Sequence, residues 1–512
     1  MNNTKSIIKW AFLASFLVLT FVGCKKDFEN INDDPNSPGG TIRTSFLLSG
    51  AQKGLMDFTW DAFWGAQTGN QLAQYWSSNQ YASESRYQFR TSVTNGYWTR
   101  LYAGGNNDAD ENMGGISELQ TIIDLCKENP SEYVGFGDPN NQIAVASIMK
   151  VWAMQMITDT WGDAPYSEAW KGFANTQPKY DSQRDIYIGL LSELNGAIAL
   201  INEGADGPTG DLIYSGNMSA WRKFANSLKM RIAMRMSDRE SAMASTAINE
   251  AIADGIFTSN ADNAVFNYLA SVPNTNLYYY NRYIDSRIDY AGSNILVDQL
   301  LALEDPRISA YVDQNSSGEY VGEVYGLTDA DATATANADI SQRSSRVLEA
   351  DAPGIYMAYA ETQFILAEAV ERGYIAGSAS DYYNAGITAS MDYWLIEGVD
   401  TDDVAAATAT YLARPDVDYA TVIGGGATWK QAIGKQKWLA LYMQGFDGWA
   451  EYRRLDFGIL QLPAGGVLEG SGIPLRMMYP VDEQTLNSAN YGAAVGNQGA
   501  DSHDTRVWWD VN

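Results

Sequence analysis

Acid, aromatic and amide side chains are the groups in this chain that could do chemistry or recognition. Asp and Glu total 62 against 34 Lys and Arg, for a formal net charge of −28. There is one histidine, His503, in an acidic, turn-rich tail, and there are two cysteines, Cys24 and Cys126. A His-ligated zinc site, a Ser-His-Asp triad or a Cys-His pair each needs a central imidazole, so that chemistry has no support, and His503 reads as a surface residue. No GxxxxGK[ST] loop, GxGxxG turn or CxxC pair occurs. Two carboxylates about 5 to 9.5 Å apart could hydrolyse a glycoside. With so many acids, spacing alone selects no such pair. Asp108, Asp110 and Asn112 open like an EF-hand loop, but Met113 stands where Gly is needed and Leu119 where Glu is needed. Asp329 and Asp331 alternate with even less context. Both sets read as solvated acids, and neither a metal nor a cofactor is expected.

The aromatic supply is large, with 15 Trp and 31 Tyr. Two clusters fall outside helical patterning. Tyr75 and Trp76 lead into Ser77-Ser78-Asn79-Gln80-Tyr81, with Tyr87 following. Leu277-Tyr278-Tyr279-Tyr280-Asn281-Arg282-Tyr283 is denser. Rings on both sides of such a run cannot all join one buried stripe. One reading is a stacking platform with amide and guanidinium partners; the other is loop packing against a scaffold. Trp152, Trp221 and Trp438 fall on helical stripes and are assigned to packing.

The elements that must hold these loops are helices. Tyr187, Leu191, Leu194, Ile198 and Ile201 recur at helical spacing between Asp185 and Ile201. Ser219 can cap a second helix, with Trp221, Phe224, Leu228 and Ile232 on one stripe. Further helices are expected over Asn141–Thr160, over Tyr356–Arg372 ending at Gly373, from about Ser380, and over Trp429–Tyr442. Ala360, Ala367, Ala369 and Gly386 would let facing helices approach, as in tetratricopeptide pairs, although no clean 34-residue period appears. Residues 79–96, 259–294 and 314–346 are long turn-rich stretches, the last holding the run Asp329-Ala330-Asp331-Ala332-Thr333-Ala334-Thr335-Ala336.

The N-terminus carries Lys5 and Lys9 and then an apolar run from Ala11 to Val22, too short for the roughly 20 residues that span a bilayer. Phe21-Val22-Gly23-Cys24 resembles a bacterial lipobox. Residues 1–23 are therefore expected to be a lipoprotein signal, Cys24 the lipidated residue, 24–44 a polar tether and 45–512 one domain. A lipidated Cys24 leaves Cys126 without a disulfide partner. The acidity speaks against nucleic-acid binding, which Lys and Arg dominate.

Several blocks in a fixed order carry a family resemblance. They are the Cys24 lipobox with Asp27-Phe28-Glu29-Asn30-Ile31-Asn32-Asp33-Asp34-Pro35-Asn36, then Ile157-Thr158-Asp159-Thr160-Trp161-Gly162-Asp163-Ala164-Pro165-Tyr166, and Lys223-Phe224-Ala225-Asn226-Ser227-Leu228-Lys229-Met230-Arg231. Next come Tyr359-Ala360-Glu361-Thr362-Gln363-Phe364, Gln436-Lys437-Trp438-Leu439, Glu451-Tyr452-Arg453-Arg454 and Pro474-Leu475-Arg476-Met477-Met478-Tyr479-Pro480. Over nearly the whole mature chain the sequence resembles the SusD/RagB family of outer-membrane nutrient-binding lipoproteins. The resemblance implies an all-α fold of four tetratricopeptide-like helix pairs, with long loops and short irregular segments packed on one side. It also implies a surface-exposed, lipid-anchored binding protein without catalytic turnover, a lid that captures an oligosaccharide or an oligopeptide for a SusC-like TonB-dependent transporter. Asn226, Glu361, Glu368 and Arg453 sit among apolar residues and read as buried pairs that fix helix packing. Sugars offer flat C–H faces to rings, so the ligand residues expected are Trp76, Asn79, Tyr81, Tyr87, Tyr278, Tyr279, Tyr280, Asn281, Arg282 and Tyr283. No family motif falls on these positions. A surface glycoside hydrolase and a purely structural surface protein stand as alternatives.

Overall fold

The structure, a computed structural model, describes residues 42–104 and 114–512. The expected signal, Cys24, nearly all of the tether and the motif at Asp108, Asp110, Asn112 and Met113 lie outside the described residues. Residues Thr44–Asn512 form one compact unit.

The longer helices are α1 (Thr44–Thr59), α2 (Thr91–Ala103), α3 (Ile116–Glu128), α4 (Pro139–Trp161), α5 (Gln183–Leu200), α6 (Met218–Arg235), α7 (Ser241–Asp254), α8 (Asn294–Ala302), α9 (Tyr359–Glu371), α10 (Ala379–Trp394), α11 (Val404–Leu412), α12 (Trp429–Ala440), α13 (Gly445–Leu455) and α14 (Ser488–Gln498). Consecutive helices pack as pairs, α4 with α5, α6 with α7, α9 with α10 and α12 with α13. The pairs join through α5 on α6, α6 on α9 and α9 on α12. The fold is all-α, as the resemblance implies. No helix among the described residues is long and apolar enough to cross a membrane.

Local chemistry explains the helix ends. Asp138 accepts from the amides of Asn140 and Asn141, and Pro139 occupies the first turn of α4, where its missing N–H costs nothing. Ser182 caps α5 by accepting from the Asp185 amide. The cap of α6 is Asn217, which accepts from Ala220, rather than the expected Ser219. Helix α4 is buried almost all round, because α3, α5 and α6 all pack on it.

Six short strands make three two-stranded antiparallel ribbons: β1 (Trp76–Ser78) with β5 (Tyr290–Gly292), β2 (Ala164–Pro165) with β3 (Tyr180–Asp181), and β4 (Ala264–Phe266) with β6 (Gly354–Met357). Tyr356 therefore lies in a strand, not in the helix expected from it. Its spacing to Ala360 mimics a helical repeat, but it stands at the irregularity of β6 between the paired Ile355 and Met357, and its carbonyl accepts from Trp152 and Arg231. The low-complexity run also departs from expectation: Thr328 caps a short helix over Asp329–Ala334.

Ion pairs fasten the stacked pairs at their centre. Arg231 of α6 grips Glu361 of α9, with Nε donating at 2.9 Å. Arg235 reaches Asp159 of α4 and, at 2.9 and 3.3 Å, Asp447 and Glu451 of α13. Lys437 of α12 lies 3.0 Å from Glu451, and Arg454 bridges Glu451 and Glu368. Burial pushes the Glu368 and Glu451 carboxyls up, yet their cations, Arg454 foremost, hold both below the usual range. Asn226 donates to Asp254 and to the Gly255 carbonyl. Arg453 lies flat against Trp449, 3.4 Å from its ring centre, and donates to the carbonyls of Asp159 and Leu475. The buried pairing expected of Asn226, Glu361 and Glu368 is what the structure shows; Arg453 pairs with backbone and rings instead of a carboxylate.

Candidate functional site

The two aromatic loops, about 200 residues apart in the chain, meet. Trp76 faces Gly292 and Ser78 faces Tyr290 across the β1–β5 ribbon, and the ladder continues with the Asn79 amide donating to the Asp289 carbonyl at 3.0 Å. Residues 79–81 and 280–289 thus leave one end of the ribbon side by side. Tyr81 takes a positive φ of 56°, unusual for a residue with a side chain, and its ring is 57% exposed. The Arg287 guanidinium lies 5.3 Å from the centre of that ring, held there by Asp289 at 2.9 Å. Beside it, Tyr280, Tyr283 and Ile284 are exposed. Arg282 sits 5.3 Å over the Tyr283 ring, and the Tyr279 and Tyr283 rings pack with centroids 5.2 Å apart.

An open cleft of about 900 Å³ begins at Gln80 and Tyr81. Its walls include Glu84, Gln88, Phe89, Arg90, Asp329 and Glu469. Glu84 and Arg90 pair at 2.6 Å. Asp329 accepts from the Ala82 amide at 2.6 Å, which ties the short helix of the low-complexity run to the first aromatic loop. The cleft therefore combines an exposed phenol ring, a half-exposed phenyl ring, amides and carboxylates. That mixture suits a ligand with apolar faces and many hydroxyls.

Half of the expected ligand set is elsewhere. Trp76, Tyr87 and Tyr278 are fully buried. Trp76 donates through Nε1 to the Tyr442 hydroxyl at 3.2 Å and meets Tyr278 edge-on, centroids 4.9 Å apart. Arg343 covers Trp76 and Tyr290 at 5.0 and 5.4 Å. Tyr278 accepts from Asn70, and Tyr87 accepts from Gln74 at 3.0 Å. These rings close the floor under the loops, so they cannot offer a face to a ligand. Asn79, which donates to Asn337, and Asn281 are buried as well. Tyr81, Tyr280 and Tyr283 reach the surface, and Tyr279 and Arg282 are half-buried. Composition alone does not mark Phe89, Arg90, Asp329 or Glu469, because the fold gathers them from three distant segments. Arg287, four residues past Tyr283, extends the second aromatic run by one cation.

His503 corrects another expectation. It is buried against Phe89 rather than exposed, because residues 474–480 fold over it. The single thiol among the described residues, Cys126, is buried, and burial pushes it up to about 11, so it is inert at neutral pH. No cluster of three or more metal-ligating side chains occurs among the described residues.

Known proteins share this architecture. A chitin-binding protein of solved structure matches at 27% identity and a TM-score of 0.77, over 92% of this chain and 100% of its own. A SusD homolog from Bacteroides uniformis matches at 25% and 0.76, over 91% and 100%. A chitin-binding SusD homolog from Flavobacterium johnsoniae, at 24% and 0.72 over 91% and 99%, shares the fold. No curated protein matches the chain. A family model described as starch-binding, associating with the outer membrane, matches residues 35–480, and the chain belongs to that SusD-like family.

Proposed function

We propose that this protein captures oligosaccharides at the cell surface and delivers them to a SusC-like TonB-dependent outer-membrane transporter, without breaking bonds itself. Cys24 would anchor it to the outer membrane by lipid. The observation that carries the reading is the junction of the two aromatic loops, where Tyr81 stands exposed under Arg287 at the mouth of the cleft. Stacking on such a ring tolerates many sugars, while Gln80, Gln88 and the cleft carboxylates can take hydroxyls. Tyr81, Tyr279, Tyr280, Arg282 and Tyr283 are the proposed contacts from the expected set. The chitin-binding relative makes chito-oligosaccharides the first ligands to try, and the family description makes malto-oligosaccharides the second.

Calorimetry on the mature protein with both series tests the proposal. Binding is expected, with Tyr81→Ala weakening it about fivefold, the worth of one ring stack of about 1 kcal/mol. Heat with peptides and none with either sugar series would replace oligosaccharide by oligopeptide as cargo. Release of shorter sugars on incubation would overturn the non-catalytic reading. Co-purification with a TonB-dependent barrel tests the delivery step.

A further inference from the structure

His503 is the chain's sole imidazole, and the fold places it behind a wall of the cleft. Its Nδ1 lies 2.9 Å from the Arg476 carbonyl oxygen. A carbonyl only accepts, so in the neutral ring Nδ1 carries the proton and Nε2 keeps a lone pair. Nε2 is buried and has no hydrogen-bond partner. It faces a Glu469 carboxylate oxygen at 3.9 Å. Glu469 lines the cleft, and so does Phe89, whose ring meets the imidazole edge-on with centroids 5.4 Å apart. The other charged groups around the ring are Arg476, paired with Asp501, and Asp504 on the same turn as His503. Burial lowers the basicity of His503, against the opposing pull of the Arg476 carbonyl, Glu469 and Asp501.

Two lone-pair bearers thus face each other across a short gap. While the ring is neutral they cannot bond, and the Glu469 carboxylate stays available to donors from the cleft. A proton on Nε2 turns the ring into a donor, closes the gap into an ion pair and takes an acceptor away from the cleft. We propose that His503 acts on ligands through Glu469: the Glu469 carboxylate holds hydroxyl-bearing ligands at neutral pH, and protonated His503 draws it away and loosens them on acidification. This rests on the cleft being the sugar site.

A lone imidazole gives a single Hε1–Cε1 NMR signal that needs no assignment. Its midpoint in the wild type is expected below 6.5, and Glu469→Gln should move it further down, lowering the protonation constant at least twofold. Affinity of the wild type for its oligosaccharide should fall about tenfold on passing below the midpoint, as expected for losing one bond to a charged acceptor. Glu469→Gln should bind about tenfold more weakly at pH 7 with a flat profile, and His503→Gln should bind with a flat profile. A midpoint unmoved by Glu469→Gln, or one pH profile shared by the wild type and His503→Gln, overturns the proposal. Absence of sugar binding at every pH overturns the reading of the cleft and the loosening step with it, and the NMR shift then decides the His503–Glu469 pair alone.

Discussion

The ion-pair core and the ribbon face use the same residue types to opposite ends. Between α6, α9, α12 and α13, each of Arg231, Arg235, Lys437 and Arg454 meets at least one carboxylate and is almost fully buried. At the ribbon end, Arg282 rests on a tyrosine ring, Arg287 is shared between Asp289 and Tyr81, and Glu469 is half-exposed. A desolvated charge has to be met from within, and these cations are held by carboxylates of the same fold. A charge near water costs little to leave partly unpaired, so the loops keep capacity for a guest.

Breaking the core should have the largest effect. Arg454→Met takes from Glu368 and Glu451 the cation they share, leaving Glu368 with Arg372 and Glu451 with Arg235 and Lys437, and is expected to cost about 3 kcal/mol of stability in chemical denaturation, with sugar affinity of the folded fraction unchanged. The same carboxylates set an acid limit. Their folded values lie below the unfolded ones, so their stabilisation is present above about pH 4.5 and is lost as pH falls through the depressed folded values. Thermal melts should therefore drop steeply below about pH 4, and less steeply in Glu368→Gln.

The floor and the surface of the ribbon separate next. Trp76→Ala empties a fully buried site and should cost about 3–5 kcal/mol. Tyr81→Ala should shift stability by no more than about 0.5 kcal/mol while weakening sugar binding. Equal melting temperatures for these two variants would erase the distinction between floor and platform. A smaller effect is expected at Glu323, buried with both carboxylate oxygens unpartnered and pushed by burial up to about 8. The folded state there favours the protonated acid, so this residue's contribution declines as pH rises from about 4.5 to 8. Glu323→Gln should gain about 1–2 kcal/mol at pH 8 and little at pH 5, read from paired melts. Smallest of all, Arg184→Gln should cost under about 1 kcal/mol, because its pair with Glu240 is partly in water on both sides.

The helices were legible where one face is apolar. Between Asp185 and Ile201 the apolar stripe marks α5 within two residues. Helix α4 was legible by length and apolarity more than by period, since it is buried on all sides. The loops were legible as a location and illegible in detail. Both aromatic runs do converge, but burial splits each run, Trp76 and Tyr278 downward and Tyr81, Tyr280 and Tyr283 outward. That split depends on a three-residue ribbon whose pairing across 214 positions leaves no periodic trace. Arg90, Asp329, Glu469 and His503 come to the cleft by the same long-range route.

The ribbon also bears on engineering. Because the Asn79 amide and the Asp289 carbonyl complete each other's pairing, neither aromatic loop is an independent module. A chimera that grafts only one of them from a relative would inherit a mismatched edge, whereas transplanting both strands with their loops would carry the proposed recognition surface across intact.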